Sequence, residues 1–205
     1  MYFVKTPGIV KPLSSKLVWK GDPSGNAVYL TFDDGPTPGV TEKVLDVLDR
    51  FDAGATFFCV GGNVHKHPDL FAETVKRGHA VGNHTWNHMN GRDFSDFSYF
   101  KNVLECAKVV PSSLFRPPYG SLRLSQVKAL SARYKLIMWD VLAADWRKDI
   151  SRENCLRNVT SSTEAGSIIV FHDSLKAQKN MLYALPRALE FLQEKGFKMR
   201  ALPAS

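Results

Sequence analysis

The chain has 205 residues, of which 44% are hydrophobic and 23% charged, a composition that excludes an intrinsically disordered chain and suits one packed domain better than two. Its formal net charge is +7, but the basic residues are scattered. The nearest approach to a cluster is Lys195, Lys198 and Arg200, and no nucleic-acid motif accompanies it, so nucleic acid is not an expected partner.

Along the chain, strand-like runs alternate with segments whose apolar residues recur at helical spacing. Strands are expected at Ala27–Phe32, Ala55–Val60, Ala80–Val81, Leu114–Phe115, Tyr134–Trp139, Ser167–Phe171 and Phe197–Leu202. Helical spacing marks Thr41–Phe51, with Thr41 as N-cap, and then Leu70–Arg77, Phe97–Val110, Arg123–Arg133, Ser151–Ser161 and Met181–Glu194. Gly78 and Gly196 stand where left-handed C-caps are needed. Such alternation predicts an α/β fold with a mostly parallel sheet wrapped by helices. A full eight-unit barrel takes about 250 residues. The expected architecture is therefore a distorted, shortened (β/α) barrel of about seven parallel strands with outer helices, with an open doubly wound sheet as the competitor. Residues 1–26 read as an N-terminal extension packed on the domain, and 27–205 as the domain itself.

Cys59, Cys106 and Cys155 are odd in number and lie in no CxxC or finger spacing, so structural disulfides are not expected. Cys59, in the apolar run Ala55–Val60, reads as a small buried hydrophobe. The first residues, Met1 to Gly8, lack the basic-then-apolar layout of a signal peptide, and no apolar run approaches a membrane span. These features give the expectation of a cytoplasmic protein without a membrane span. They leave the oligomeric state open.

Chemistry-bearing residues fall just after the expected strands. Asp33 and Asp34 follow the first, His84 and His88 the third, Arg116 the fourth, Asp145 the fifth and His172 the sixth. In parallel α/β folds the C-terminal strand ends form the functional face, so these residues should converge on one mouth. His84 and His88, four apart, would face the same side of a helical turn. Two imidazoles and one carboxylate leave coordination positions open, as a catalytic metal requires. The segment Gly82–His88 lacks the glutamate of a zinc-peptidase helix. Two adjacent aspartates at a strand end should project oppositely, one toward a metal and one free as a base. His65, His67 and His79 are read as surface or loop residues. No Gly-x-Ser-x-Gly elbow is present, which argues against a serine esterase.

Five segments, Thr31–Pro36, His84-Thr85-Trp86-Asn87-His88, Arg116-Pro117-Pro118-Tyr119-Gly120, Asp145-Trp146 and Val170-Phe171-His172, stand in the order of the polysaccharide deacetylase family. The chain from about Ala27 to Leu202 resembles this NodB-homology domain, carbohydrate esterase family four. The resemblance implies a distorted (β/α) barrel that removes N-acetyl groups from a carbohydrate with one divalent metal, zinc, with cobalt or nickel able to serve. It implies that Asp34, His84 and His88 are the metal ligands, Asp33 the general base, Arg116 the holder of Asp33, and His172 the general acid. The backbone N–H of Tyr119 resembles the family's oxyanion donor, and Trp146 and Val170 resemble walls of the acetyl pocket. Two positions depart from the family pattern. Leu142 stands where an aspartate is frequent, which leaves Asp145 either to orient His172 or to anchor Arg116, and Val170 stands where leucine is common. Competing readings are an amidohydrolase acting on a small amide or cyclic imide, a carbohydrate-binding relative, and a non-haem iron oxygenase, whose usual all-β scaffold this pattern does not match.

Overall fold

A computed structural model describes residues 4–6 and 15–203. Among these residues nine strands form one sheet: β1 (Leu17–Val18), β2 (Ala27–Asp33), β3 (Ala55–Cys59), β4 (Ala80–Asn83), β5 (Leu114–Phe115), β6 (Lys135–Ile137), β7 (Val141–Leu142), β8 (Ile168–His172) and β9 (Lys198–Arg200). The order is β1-β6-β5-β4-β3-β2-β8-β7, with β9 on the first half of β2. Every strand pair is parallel. The helices are α1 (Thr41–Arg50), α2 (Gly61–Lys66), α3 (Pro68–Lys76), α4 (Asp96–Ala107), α5 (Leu124–Leu130), α6 (Arg152–Thr160) and α7 (Gln178–Glu194).

The expected shortened (β/α) barrel is present, with nine strands in place of about seven. The segment expected as the single strand Tyr134–Trp139 forms only β6, and the chain then breaks before the separate β7. β1 comes from the residues expected as an extension, of which 1–3 and 7–14 lie outside the described residues. Strand pairing does not join β1 to β7 among the described residues, so the barrel is open there. Backbone hydrogen bonds from Thr6 N to Asp140 O (2.9 Å) and from Leu142 N to Val4 O (2.8 Å) lay the N-terminal strap along that opening. At its foot, Lys5 and Lys20 both face the buried Asp140 carboxylate and the Glu164 carboxylate. This local pairing neutralises a carboxylate that would otherwise be costly to bury.

β2 is buried along its whole length, as expected of a central parallel strand covered on both faces. Its side chains still alternate. Val28, Leu30 and Phe32 join the core under the helices, while Tyr29 joins the cluster inside the barrel with Phe58, Leu114, Ile137 and Ile168. Thr31 and Asp33 continue that inward row toward the C-terminal mouth. α1 buries Val44, Leu45, Val47 and Leu48 against the outer core. Thr41 is the first helical residue rather than the N-cap, which is Val40; its hydroxyl is engaged elsewhere, as described below. Pro68 at the first position of α3 separates it from α2, a short helix that the sequence reading missed. Gly78 (φ 83°) and Gly196 (φ 72°) have the left-handed backbone expected of them. All three cysteines are free and buried, and no described helix is long and apolar enough to cross a membrane.

Candidate active site

Asp33 is the last residue of β2 and lies opposite His172, the last residue of β8, in the parallel register. The strand ends bring Asp33, Asp34, His84, His88 and His172 to one mouth, where they line a cavity of about 490 Å³ with Tyr119, Trp146 and Val170. Pro117, Trp139, Leu142 and Lys176 complete its wall. Arg116 and Asp145 lie beneath, fully buried.

Arg116 follows β5 and points into the barrel. Its Nη1 donates to Asp33 Oδ1 and to Thr31 Oγ1, both at 2.7 Å. Its Nη2 donates to Met138 O at 2.9 Å, and Nε reaches Ile137 O at 3.4 Å. The guanidinium also stacks 4.2 Å from the Phe58 ring centroid. Burial pushes the Arg116 pKa down, and Asp33 opposes that. With both guanidinium ends occupied, this buried cation is fully paired and fixes the Asp33 carboxylate. Its anchor is thus Asp33, Thr31 and two carbonyls.

Asp145 engages His172 instead. Its Oδ1 lies 2.8 Å from His172 Nδ1, and its Oδ2 accepts from the His172 backbone N–H at 2.7 Å. Burial works against protonation of this imidazole. The charge and hydrogen bond of Asp145, then Asp34 and Asp33, outweigh it and lift the pKa to about 9. Of the two roles open to Asp145, the geometry fits orientation of His172. The Trp146 ring packs 4.7 Å from the imidazole.

His84 and His88 do not share a helical turn. Thr85 (φ 65°) and His88 (φ 59°) are both left-handed. The Asn83 side chain accepts from Thr85 N at 2.9 Å, and Thr85 Oγ1 accepts from Met89 N at 2.9 Å. These local side-chain bonds replace helical ones and curl the loop so that both rings meet, 5.1 Å apart. His84 Nδ1 lies 2.7 Å from Arg116 O. A carbonyl can only accept, so Nδ1 carries the proton and Nε2 is left as a lone-pair donor. Burial pushes the His84 pKa down to about 4.

Asp34 does not simply alternate with Asp33 along an extended strand. Its φ of 85° turns it back toward the histidines. Asp34 Oδ1 is 3.2 Å from His88 Nε2 and 3.9 Å from His84 Nε2. Burial disfavours the Asp34 carboxylate, but the His88 contact and the nearby His172, His84 and His88 hold its pKa well below the usual range. One ligand atom from each of Asp34, His84 and His88 lies within 4.8 Å of the others, and the buried Asp34 Oδ1 accepts no hydrogen bond. A carboxylate oxygen with no proton donor, facing two imidazole nitrogens, fits a divalent cation with open coordination positions.

Of the remaining expectations, Tyr119 sits in a 3-10 turn with φ 60° and packs its ring on His88 at 4.7 Å. His65 is exposed and His67 half-buried. His79 is a correction: it is 7% exposed, packed against Phe57, and neither ring nitrogen has a hydrogen-bond partner. Sequence reasoning also missed Asn63, whose Nδ2 donates to Asp34 O at 2.8 Å, and gave no role to Asp173. The adjacency of Asp173 to His172 was the one available signal.

The family model for polysaccharide deacetylase matches residues 20–136. The chain is 31% identical to a peptidoglycan-N-acetylglucosamine deacetylase of Bacillus cereus, with 89% of each covered. It is 32% identical to a chitooligosaccharide deacetylase of Bradyrhizobium, covering 89% of this chain and 92% of that one. Among solved structures, the Bc1960 peptidoglycan N-acetylglucosamine deacetylase superposes with a TM-score of 0.88 at 27% identity, over 98% of this chain and 99% of that one. Sequence, fold and the order of the strand-end residues agree: the chain belongs to the polysaccharide deacetylase family.

Proposed function

We propose that the chain hydrolyses the N-acetyl group of an amino sugar in a glycan of the chitooligosaccharide or peptidoglycan kind, at one divalent metal, zinc, held by Asp34, His84 and His88. The observation that carries this reading is the placement of two buried pairs, Arg116–Asp33 and Asp145–His172, on the same mouth as the Asp/His/His group. Each pair prepares one proton transfer. The relatives supply the substrate class, since those named above act on N-acetylated glycans.

A bound divalent metal would polarise the acetyl carbonyl and make water more acidic. The residues do the rest. Arg116 pairs with Asp33 and orients its carboxylate to accept the proton of the attacking water. The negative charge that attack places on the former carbonyl oxygen is met by the backbone N–H of Tyr119. The amine departs poorly until protonated. His172, with Nδ1 held by Asp145, delivers the proton from Nε2, and a pKa of about 9 keeps it charged at neutral pH. Leu142, Val170 and Trp146 give the mouth an apolar wall suited to a methyl group. No covalent intermediate is required.

The test is acetate release by the zinc-loaded protein from chitooligosaccharides, peptidoglycan fragments and small acetamides. Acetate from at least one glycan is expected. Hydrolysis of small amides or cyclic imides alone, with none from any glycan, would overturn the substrate class.

A further inference from the structure

The loop that carries Asp34 is clamped from three sides. Asn63 Nδ2 holds the carbonyl of Asp34, and Val60 N donates to the carbonyl of Gly35 at 3.0 Å. The third hold is Asp173, one residue beyond β8 and 1% exposed. Its Oδ1 accepts from Gly35 N at 3.0 Å and its Oδ2 from Thr41 Oγ1 at 2.6 Å. Thr41 Oγ1 in turn accepts from Thr37 N at 2.8 Å. Asp173 N also donates to Asp33 O at 3.1 Å. A single buried side chain thereby fixes both ends of the turn that follows Asp34, while its own backbone is tied to the residue before it.

The fit is close. A Cβ on Gly35 would lie 1.9 Å from Asp173 Oδ2, so the glycine is required for the carboxylate to approach the turn. Asp34 itself is in the left-handed region (φ 85°), which a residue with a Cβ adopts at a steric cost. Such a conformation persists only where its surroundings over-determine it. No described cation pairs with Asp173 through a salt bridge of 4 Å or less; its hydrogen-bond donors are those of the turn.

We propose that Asp173 is a positioning residue for the metal site: by holding Gly35 N–H and Thr41 it fixes the turn that aims the Asp34 carboxylate at His84 and His88. The proposal rests on the reading of Asp34 as a ligand. His172 and Asp173, adjacent on the chain, then serve the two halves of the site, one facing the mouth and one facing the ligand loop.

Zinc affinity of the metal-free protein, measured by chelator competition, together with hydrogen exchange at the Gly35 amide, tests it. Removing an outer partner of a ligand typically weakens metal binding about 10–100-fold. Asp173→Ala should do so by at least ~10-fold and should speed Gly35 exchange, with the far-UV spectrum unchanged. Asp173→Asn keeps an acceptor for Gly35 N–H and should lie closer to the wild type. Affinity within about threefold of wild type in a folded Asp173→Ala protein overturns the proposal, being well short of the loss expected for such a partner. So does an Asp173→Asn protein as weak as the alanine variant, since hydrogen-bond geometry would then not be the cause. If Asp173→Ala does not fold, Thr41→Val decides: it removes the hydroxyl that links Asp173 Oδ2 to Thr37 N and leaves the Oδ1–Gly35 bond in place, and unchanged affinity overturns the proposal. Asp34→Ala is the control. If it keeps its zinc, the ligand assignment fails; if it loses zinc while Asp173→Ala does not, only the positioning role fails.

Discussion

Asp145→Asn gives the most direct test of how His172 is prepared. In the structure both Asp145 oxygens serve His172, one at Nδ1 and one at the backbone N–H. The difference between a pKa of about 9 and the ordinary 6.5 corresponds to roughly 3 kcal/mol of preference for the imidazolium. Removing the charge leaves burial opposed only by the more distant Asp34 and Asp33, so the pKa should return to about 6.5 or below. At pH 8 the protonated fraction then falls from about 0.9 to about 0.03, a loss of roughly 30-fold in acid-dependent rate. At pH 5.5 both enzymes keep His172 largely protonated and the protonation loss shrinks to about 10%. The assay is kcat/KM for acetate release from one glycan across pH 5–10. A bound metal lowers both basic limbs, so the difference between the two enzymes is the quantity compared. Stability follows the same sign. A raised pKa in the folded protein contributes fully below about 6.5 and is lost as pH rises through about 9, so thermal midpoints of the two metal-free proteins should differ most at low pH. A uniform loss of rate, with the basic limb unmoved, would refute the reasoning.

Four other variants have expected outcomes. His88→Ala should lose most bound zinc and turnover, whereas Asp33→Asn should keep zinc, measured by metal analysis, and lose nearly all turnover; full zinc and turnover in the first would remove the site as drawn. His172→Ala should keep zinc and should slow an amide about 10²–10⁴-fold, yet slow an activated ester much less, because a good leaving group departs without a proton. Equal losses on both would give His172 another role. His79 is buried without a partner and burial lowers its pKa, so the unfolded chain binds its proton first and stability falls as pH drops below about 6.5. His79→Phe should flatten the acid side of the thermal-midpoint profile, and a profile as steep as wild type would count against that origin.

The parts legible in the sequence were those with long-range regularity. β2, β3 and β8 are central and buried, so their apolar runs announced them, and the placement of aspartate, histidine and arginine just after strands marked the mouth. The two-residue strands β1 and β7 carry no such signal, whereas the equally short β5, Leu114–Phe115, was read correctly. β1 and β7 exist because neighbours on the open side of the barrel supply backbone partners, and nothing local distinguishes Leu17–Val18 or Val141–Leu142 from a loop. Asp140 and Asp145 illustrate the same limit. Five residues apart in a chain that turns between them, one is neutralised by Lys5 and Lys20 at the foot of the strap and the other orients His172. His79 fails for the opposite reason: a histidine looks polar in sequence, but its ring packs on Phe57 as an aromatic.

The helical reading of His84–His88 was wrong in a way that is informative about the site. Among the described residues, the non-glycine positions with positive φ are Asn26, Asp34, Asp52, Thr85, His88, Tyr119 and Ala144. Five of these belong to or directly adjoin the residues that line or support the mouth. Thr85 is the least expected, because a β-branched side chain is an outlier there. Regular structure cannot deliver this arrangement. A helical turn would set His84 and His88 one above the other on a helix face, and an extended strand would send Asp33 and Asp34 to opposite faces of the sheet. A compact group needs all of them aimed inward from different strand ends, and only left-handed kinks turn the chain sharply enough. Three of the five kinks are matched by a specific hold: Asn83 on Thr85, Asn63 and Asp173 on the Asp34–Gly35 turn, and Asn180 on the carbonyl of Asp145, next to Ala144, at 3.1 Å. The conformational cost of the site is therefore offset in part by polar side chains around the mouth, Asn83 and Asp173 buried and Asn63 and Asn180 half-buried.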